Sequence, residues 1–334
     1  MWGARQGSPT LSLWIMLVSI QARPAKGLAF PSIFGLLLLA AARGAQAPDQ
    51  TPVISMDVRR VVLYVTVREG NARFVGDLVK PDFSIKEDGT PQEIISFSRD
   101  DVPVAVGLLV DNSQSMMNKR TEVVAAAKAF VRASHPGDDM FVLHFNENLT
   151  YGLPRNQPFT GNRAELDKAL DSLRADGKTA LYDAIYEGLR HLQTSKLTKK
   201  ALIVISDGGD NMSVHKSADV IRVAGLSGAL FYGIGIYDPS DGDANPGVVK
   251  KLAQDTGGEA YFPKGVQEVS GLCQTIARDL RSQYMLSYSP SNADYNGKFR
   301  RIEVKVKDPQ HRKLIVRTRT GYYGTAPKPD DGRN

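Results

Sequence analysis

Three stretches of the chain carry hydroxyls and carboxylates where a buried strand gives way to a loop. The first, "VDNSQSM", follows the apolar run "VPVAVGLL" and offers Asp111, Ser113 and Ser115 at alternate positions, so that both serines can turn the same way. The second, "DGKTALYDAI", sets Thr179 at the start of an amphipathic helical stretch, and the third, "ALIVISDGGDN", sets Asp207 just past another apolar run. Brought to one edge of a sheet, they make a set of three hydroxyls and two carboxylates, with no histidine and no thiolate. Hard oxygen donors of this kind suit Mg2+, Mn2+ or Ca2+ rather than zinc or copper. Mg2+ takes about six oxygens in an octahedron and keeps water readily, so a site with few direct protein charges leaves a position that an incoming carboxylate can fill.

The elements that must position these residues are legible as βα units. From Val102 to about Ser282, apolar runs alternate with helical periodicity, the pattern of a mostly parallel sheet covered on both faces. The runs "VPVAVGLLV", "DMFVLHF", "KALIVIS", "ALFYGIGI" and "GGEAYFP" predict strands, and helices are expected to begin near Arg120, Arg163, Thr179, Val214, Pro246 and Val266. Val123, Ala127, Phe130 and Val131 form one apolar stripe and Leu181, Ile185, Leu189 and Leu192 another, each opposed by charges, so both helices should pack on the sheet. The three loops then fall at carboxyl ends of strands, where open α/β sheets place ligands.

On either side the pattern changes. Residues 52–101 read as short strands and turns, and residues 283–324 return to alternation, with Ile302, Val304 and Val306 on one side and Arg301, Glu303, Lys305 and Lys307 on the other. Neither flank is long enough to build a good core alone, so the two are expected to pair as one small all-β sandwich from which the α/β domain of residues 102–282 emerges. The Arg and Lys residues of the last strands read as its solvated face, and residues 325–334 as a disordered tail.

The first 47 residues contain Arg5, Arg23, Lys26 and Arg43 but no acid, and carry the apolar runs "LSLWIMLVSI" and "GLAFPSIFGLLLLAAA". With Arg23 and Lys26 before the second run and the small residues "AAARGAQA" after it, residues 1–47 read as a signal peptide or other targeting segment. Met16 would make a more typical start, and Pro48 directly after "AQA" leaves an uncleaved membrane anchor as the competing reading. Either way the bulk is expected outside the cytoplasm, in the periplasm, at the cell envelope or secreted. With those four cations set aside, the 42 basic residues become 38 against 36 acidic ones, which removes the case for nucleic acid binding. Cys273 is the only cysteine, so no disulfide framework or Cys-based zinc site is available, and its apolar neighbours at helical spacing predict a buried structural thiol.

Asp-x-Ser-x-Ser, a downstream Thr and a strand-end Asp resemble the metal-ion-dependent adhesion site of von Willebrand factor type A domains, shared with integrin inserted domains. That resemblance implies a Rossmann-like domain over roughly residues 102–282. It implies that Ser113 and Ser115 bind the metal directly, that Thr179 binds it directly or through water, and that Asp111 and Asp207 act largely through water. A Glu or Asp of a protein partner would take the last position. The flanking phrases "DFSIKEDGTPQEIISF" and "RKLIVRTRTGYYG" resemble exported bacterial VWFA-related domain proteins, whose biochemical role is poorly defined.

Taken singly, Asp111 reads as a turn residue and Thr179 as a helix cap; the conjunction of three strand-edge loops is what points to a metal. Asp183, Asp210 and Asn211 lie near in sequence, but helix surface and loop capping explain them. A phosphoryl-accepting Asp111 would want a second acid two residues on, where Ser113 stands, and no histidine lies in a G-x-S-x-G context. With no G-x-G-x-x-G or P-loop pattern for a nucleotide, the sequence predicts a binding module without catalytic residues. A structural envelope component, in which the metal only stabilises, is the alternative.

Overall fold

The computed structural model describes residues 60–324, apart from 71–72, 173–174, 208, 238–244 and 295. The targeting segment expected at residues 1–47 and the tail at 325–334 lie outside the described residues. No helix among the described residues is long and apolar enough to cross a membrane.

The chain opens with β1 (Val61–Glu69), β2 (Arg73–Phe74), β3 (Phe83–Glu87), β4 (Thr90–Gln92) and β5 (Ser96–Ser98). The α/β part follows: β6 (Val104–Asp111), α1 (Arg120–Ala133), β7 (Asp139–Phe145), β8 (Leu149–Tyr151), α2 (Arg163–Asp171), α3 (Leu181–Leu192) and β9 (Lys199–Ser206). It continues with α4 (Ser217–Ser227), β10 (Leu230–Gly235), α5 (Pro246–Thr256), β11 (Glu259–Tyr261) and α6 (Val269–Arg281). The remaining strands are β12 (Tyr284–Tyr288), β13 (Phe299–Val306), β14 (Leu314–Arg317) and β15 (Gly321–Tyr323).

The central sheet runs β11-β10-β9-β6-β7-β8, parallel throughout except for the edge strand β8, which is antiparallel to β7. All eight residues of β6 are buried, as a strand covered by helices on both faces requires. From β6 the chain builds outward to β7 and β8, then crosses back to β9 and builds the other way, so the gap between the carboxyl ends of β6 and β9 is the sheet's topological switch point. Register places Val110 beside Ile205 and leaves Asp111 level with Ser206. The stripes of α1 and α3 are buried in the shared core.

The flanks build two antiparallel sheets, and each takes strands from both ends of the chain. One runs β14-β1-β12-β5, with β1 pairing β12 over Val61–Val65 and β14 over Thr66–Glu69; the other runs β15-β13-β3-β4. Leu63 and Val65 of β1, Phe83 and Ile85 of β3, Leu286 of β12 and Ile302 of β13 share one core, distinct from that of the α/β part. Arg300 and Arg317 depart from the expected solvated face, because partly or fully buried acids hold them. Arg300 donates to Glu87, which also accepts from the Tyr288 and Tyr322 hydroxyls, and Arg317 pairs with Asp279 and Glu259.

The β unit meets the α/β part at the amino-terminal edge of the central sheet. There Asp279 of α6 accepts from the Thr66 hydroxyl at 2.7 Å and the Tyr232 hydroxyl at 2.9 Å. Arg281 reaches Asp101 and Asp138, and Asp138 in turn accepts from the Val104 amide at 2.8 Å. The carboxyl edge, with the three loops, is left to the opposite end.

Candidate metal centre

Each loop is placed by a different element, and main-chain bonds tie the loops together. The Asn112 amide donates to the Phe145 carbonyl and its own carbonyl accepts from the Asp176 amide, while the Gln114 amide donates to the Gly177 carbonyl. These bonds fix the loop after β6 against the loop before α3. Gly177 has φ +73°, a conformation that favours glycine, and a Cβ there would lie 1.9 Å from the Glu147 carboxylate. The "DG" of "DGKT" is therefore a requirement of the turn that delivers Thr179.

Thr179 is bound on its main-chain groups. Its amide donates to Asn211 Oδ1 at 3.0 Å, and its carbonyl accepts from the Asn211 and Met212 amides at 3.1 Å. The residues set aside as loop caps carry this junction further: Asp210 accepts from the Tyr182 amide, and Asp183 accepts from the Val214 and His215 amides. That last pair of bonds keeps residues 214–216 as loop, so α4 starts at Ser217 instead of near Val214. α3 likewise begins at Leu181, two residues past Thr179, because the Ala180 amide is drawn to the Asn146 carbonyl.

The side chains that converge do so closely. Asp111 is fully buried; Oδ1 accepts from the Ser113 amide at 2.8 Å and Oδ2 from the Ser206 hydroxyl at 2.5 Å. The Ser113 and Ser115 hydroxyls lie 3.1 Å apart, so the two serines do turn the same way. Ser115 donates to Asp207 Oδ1 at 2.8 Å, across 92 residues of sequence. The Thr179 hydroxyl makes no hydrogen bond among the described residues. Burial pushes the Asp111 carboxyl up to about 6, its bonds from Ser113 and Ser206 oppose the rise, and the nearby Asp207 charge adds to it.

Two participants escape a reading of residue types. Ser206, one residue before Asp207, anchors Asp111. Lys119 donates from Nζ to Asp207 Oδ2 at 2.5 Å, pairing that acid with a cation. A signal for Lys119 exists in the sequence: it caps the amino end of α1 with Arg120 behind it, and two cations at the positive end of a helix are unfavourable unless an acid holds one. Two histidines support this edge: His215 Nδ1 lies 2.7 Å from Asp183 Oδ1, and His144 lies under the loop after β6. Burial lowers the pKa of His144, and the neutral ring accepts at Nδ1 from Asn112 at 3.3 Å while donating to the Ala169 carbonyl. Among the described residues no cluster of three or more His, Cys, Asp or Glu side chains could hold a metal, so any cation here depends on hydroxyl donors.

The family model for the von Willebrand factor type A domain matches residues 105–274. No curated protein matches the chain. Among solved structures, the conserved hypothetical protein BatB from Bacteroides thetaiotaomicron is 18% identical at TM-score 0.44, covering 54% of this chain and 100% of that one. A von Willebrand factor type A protein from Catenulispora acidiphila is 14% identical at TM-score 0.46, covering 79% of this chain and 75% of that one. The domain of the type V pili tip protein Mfa5 from Porphyromonas gingivalis is 15% identical at TM-score 0.44, covering 53% of this chain and 95% of that one. With half its length matched by the family model and a mostly parallel sheet flanked by helices, this chain belongs to the von Willebrand factor type A domain family.

Proposed function

We propose that this protein is a divalent-cation-dependent, adhesion-type binding module of the cell envelope that captures an Asp or Glu side chain of a partner protein. The observation that carries the reading is the run of contacts from Ser113 to Ser115 to Asp207, joining hydroxyls and a carboxylate from two separate loops beside the buried Asp111. Ser113, Ser115 and Thr179 would hold a Mg2+, Mn2+ or Ca2+ ion with their hydroxyls, and Asp111 and Asp207 would supply the negative charge. The donor set fits a hard cation: all its atoms are oxygens, and two buried acids at one sheet edge gain from a positive charge. When bound, the ion supplies a Lewis-acidic position that the partner's carboxylate completes.

The chain's own residues do the rest. Asp111 holds the Ser113 amide and so aims the serine loop, and Ser206 fixes the other carboxylate oxygen. The β unit sits at the opposite edge, which leaves these loops open to a partner. Residues 1–47 would carry the chain out of the cytoplasm.

The loops are already tied by main-chain bonds, so the metal has little structural work to do, in contrast to a purely stabilising role. The test is capture of a partner from envelope extract with Mg2+, with EDTA, and with the Asp111→Ala protein. Binding is expected to disappear in the last two while the circular dichroism spectrum stays native. Binding that persists in EDTA sinks the proposal, and loss of the native spectrum in EDTA assigns the metal a structural role.

A further inference from the structure

Lys119 places a positive charge on the one acid that the proposed site shares between two loops. Its Nζ bonds Asp207 Oδ2 at 2.5 Å, and the Asp207 side chain is 1% exposed against 28% for Lys119. Asp207 Oδ1 is engaged by Ser115, so both carboxylate oxygens are occupied. The lysine precedes the first residue of α1, where the helix dipole repels an ammonium, and no helix-capping bond from its side chain offsets that. What holds it in place is the carboxylate. Arg120 is directed away, to the Asp171 carbonyl at 3.3 Å, which leaves Lys119 as the counter-charge of Asp207.

We propose that Lys119 is a tethered counter-cation that competes with the divalent ion for Asp207, lowering the metal affinity of the site and stabilising its metal-free form. The inference rests on the metal-site reading above. An ammonium bound to Asp207 repels a divalent ion held beside that carboxylate in a partly desolvated setting and neutralises the charge that would attract it, so loading is favoured when Lys119 moves away. Its partial exposure gives it solvent to move into. Site occupancy then follows the ambient metal concentration instead of being saturated at trace levels, and Lys119 sets the threshold.

The experiment is a Mn2+ titration, read as the electron paramagnetic resonance signal of free Mn2+, on the full chain and on the Lys119→Met, Lys119→Arg and Asp111→Asn variants. Removing a close charge from a partly buried site is expected to tighten Mn2+ binding roughly tenfold or more in Lys119→Met. Lys119→Arg, which keeps the charge with a bidentate fork, should bind no more tightly than the original. In EDTA, Lys119→Met should melt below the original protein, and excess Mn2+ should reverse that order. If the original protein binds Mn2+ and Lys119→Met binds it equally well, the competition is refuted while the metal site stands. If no variant binds Mn2+, the site itself fails and the inference with it. Should Lys119→Met not fold, tighter binding by Lys119→Arg than by the original protein overturns the proposal.

Discussion

Asp111 is the residue on which the site's charge balance turns, because it is a carboxyl with no exposed surface, held by donors from Ser113 and Ser206. Its pKa is raised from the ordinary 3.8 to about 6, so the folded chain binds this proton more tightly than the unfolded chain does. The stability it contributes is fully present below the unfolded value and is lost as pH rises through the folded one. In EDTA, urea unfolding of the original protein and of Asp111→Asn should therefore diverge between about pH 4 and pH 6, with the original losing about 3 kcal/mol relative to the variant. Parallel curves would show that the carboxyl is not buried as described. A metal competes with the same proton, so Mn2+ affinity should weaken below about pH 6. Five oxygen-bearing candidates could be picked out in the sequence by their types and order, and hydrogen bonds link the side chains or loops of Asp111, Ser113, Ser115 and Asp207, while Thr179 is bound only on its main-chain groups. Ser206 was not, because its role exists only once segments 95 residues apart meet, and Lys119 showed only as an unfavourably placed cation whose partner, 88 residues on, the sequence does not name.

At the scale of elements, α6 is the part that couples the central sheet to the β unit. The helix is Val269–Arg281 after a short turn of 3-10 helix, and its last turn is tied on three consecutive residues. Asp279 takes Thr66, Tyr232 and Arg317; the Leu280 carbonyl accepts from Lys199 at 2.5 Å; Arg281 takes Asp101 and Asp138. Any shift along the axis must break this cluster. Asp279→Ala leaves Arg317 short of a buried partner and the Tyr232 hydroxyl without an acceptor, which should destabilise the chain by about 3–5 kcal/mol. Urea unfolding checks this, and a change below about 1 kcal/mol would show that the acid is expendable. Sequence periodicity located α1 and α3 because wide apolar stripes were available. It gave no sign of β8, whose three residues are all exposed and which exists only as an edge partner of β7. Nor could it reveal that Asp138 and Asp279 are buried hubs, since a lone acid in a turn or helix looks the same whether its partners come from next door or from the far end of the chain.

At the scale of the whole molecule, the α/β part interrupts the β unit, and this ties the two ends of the described chain together. The return of alternation after residue 282 made the pairing of the flanks readable; their strand order was not, because β1 divides its length between two partners, β12 and β14, that are 30 residues apart at their starts. A chain ending at Ser282 keeps β1 and β3 but removes β12, β14 and β13, which are their partners. Leu63, Val65, Phe83 and Ile85 would lose the strands that cover them, at about 1.5–3 kcal/mol for each side chain returned to water, and β1 would present open edges to other chains. A chain of residues 102–282 also loses Thr66 and Arg317 from Asp279, yet it carries no orphaned strands. The shorter chain should therefore be the more soluble of the two: residues 60–282 aggregate, with β1 amides that exchange freely, while residues 102–282 remain largely monomeric though less stable than the full chain. Sedimentation of both, with hydrogen exchange on β1 in the longer one, decides the matter; a monomeric 60–282 chain with protected β1 amides would mean that the amino-terminal flank folds without its carboxyl-terminal partners.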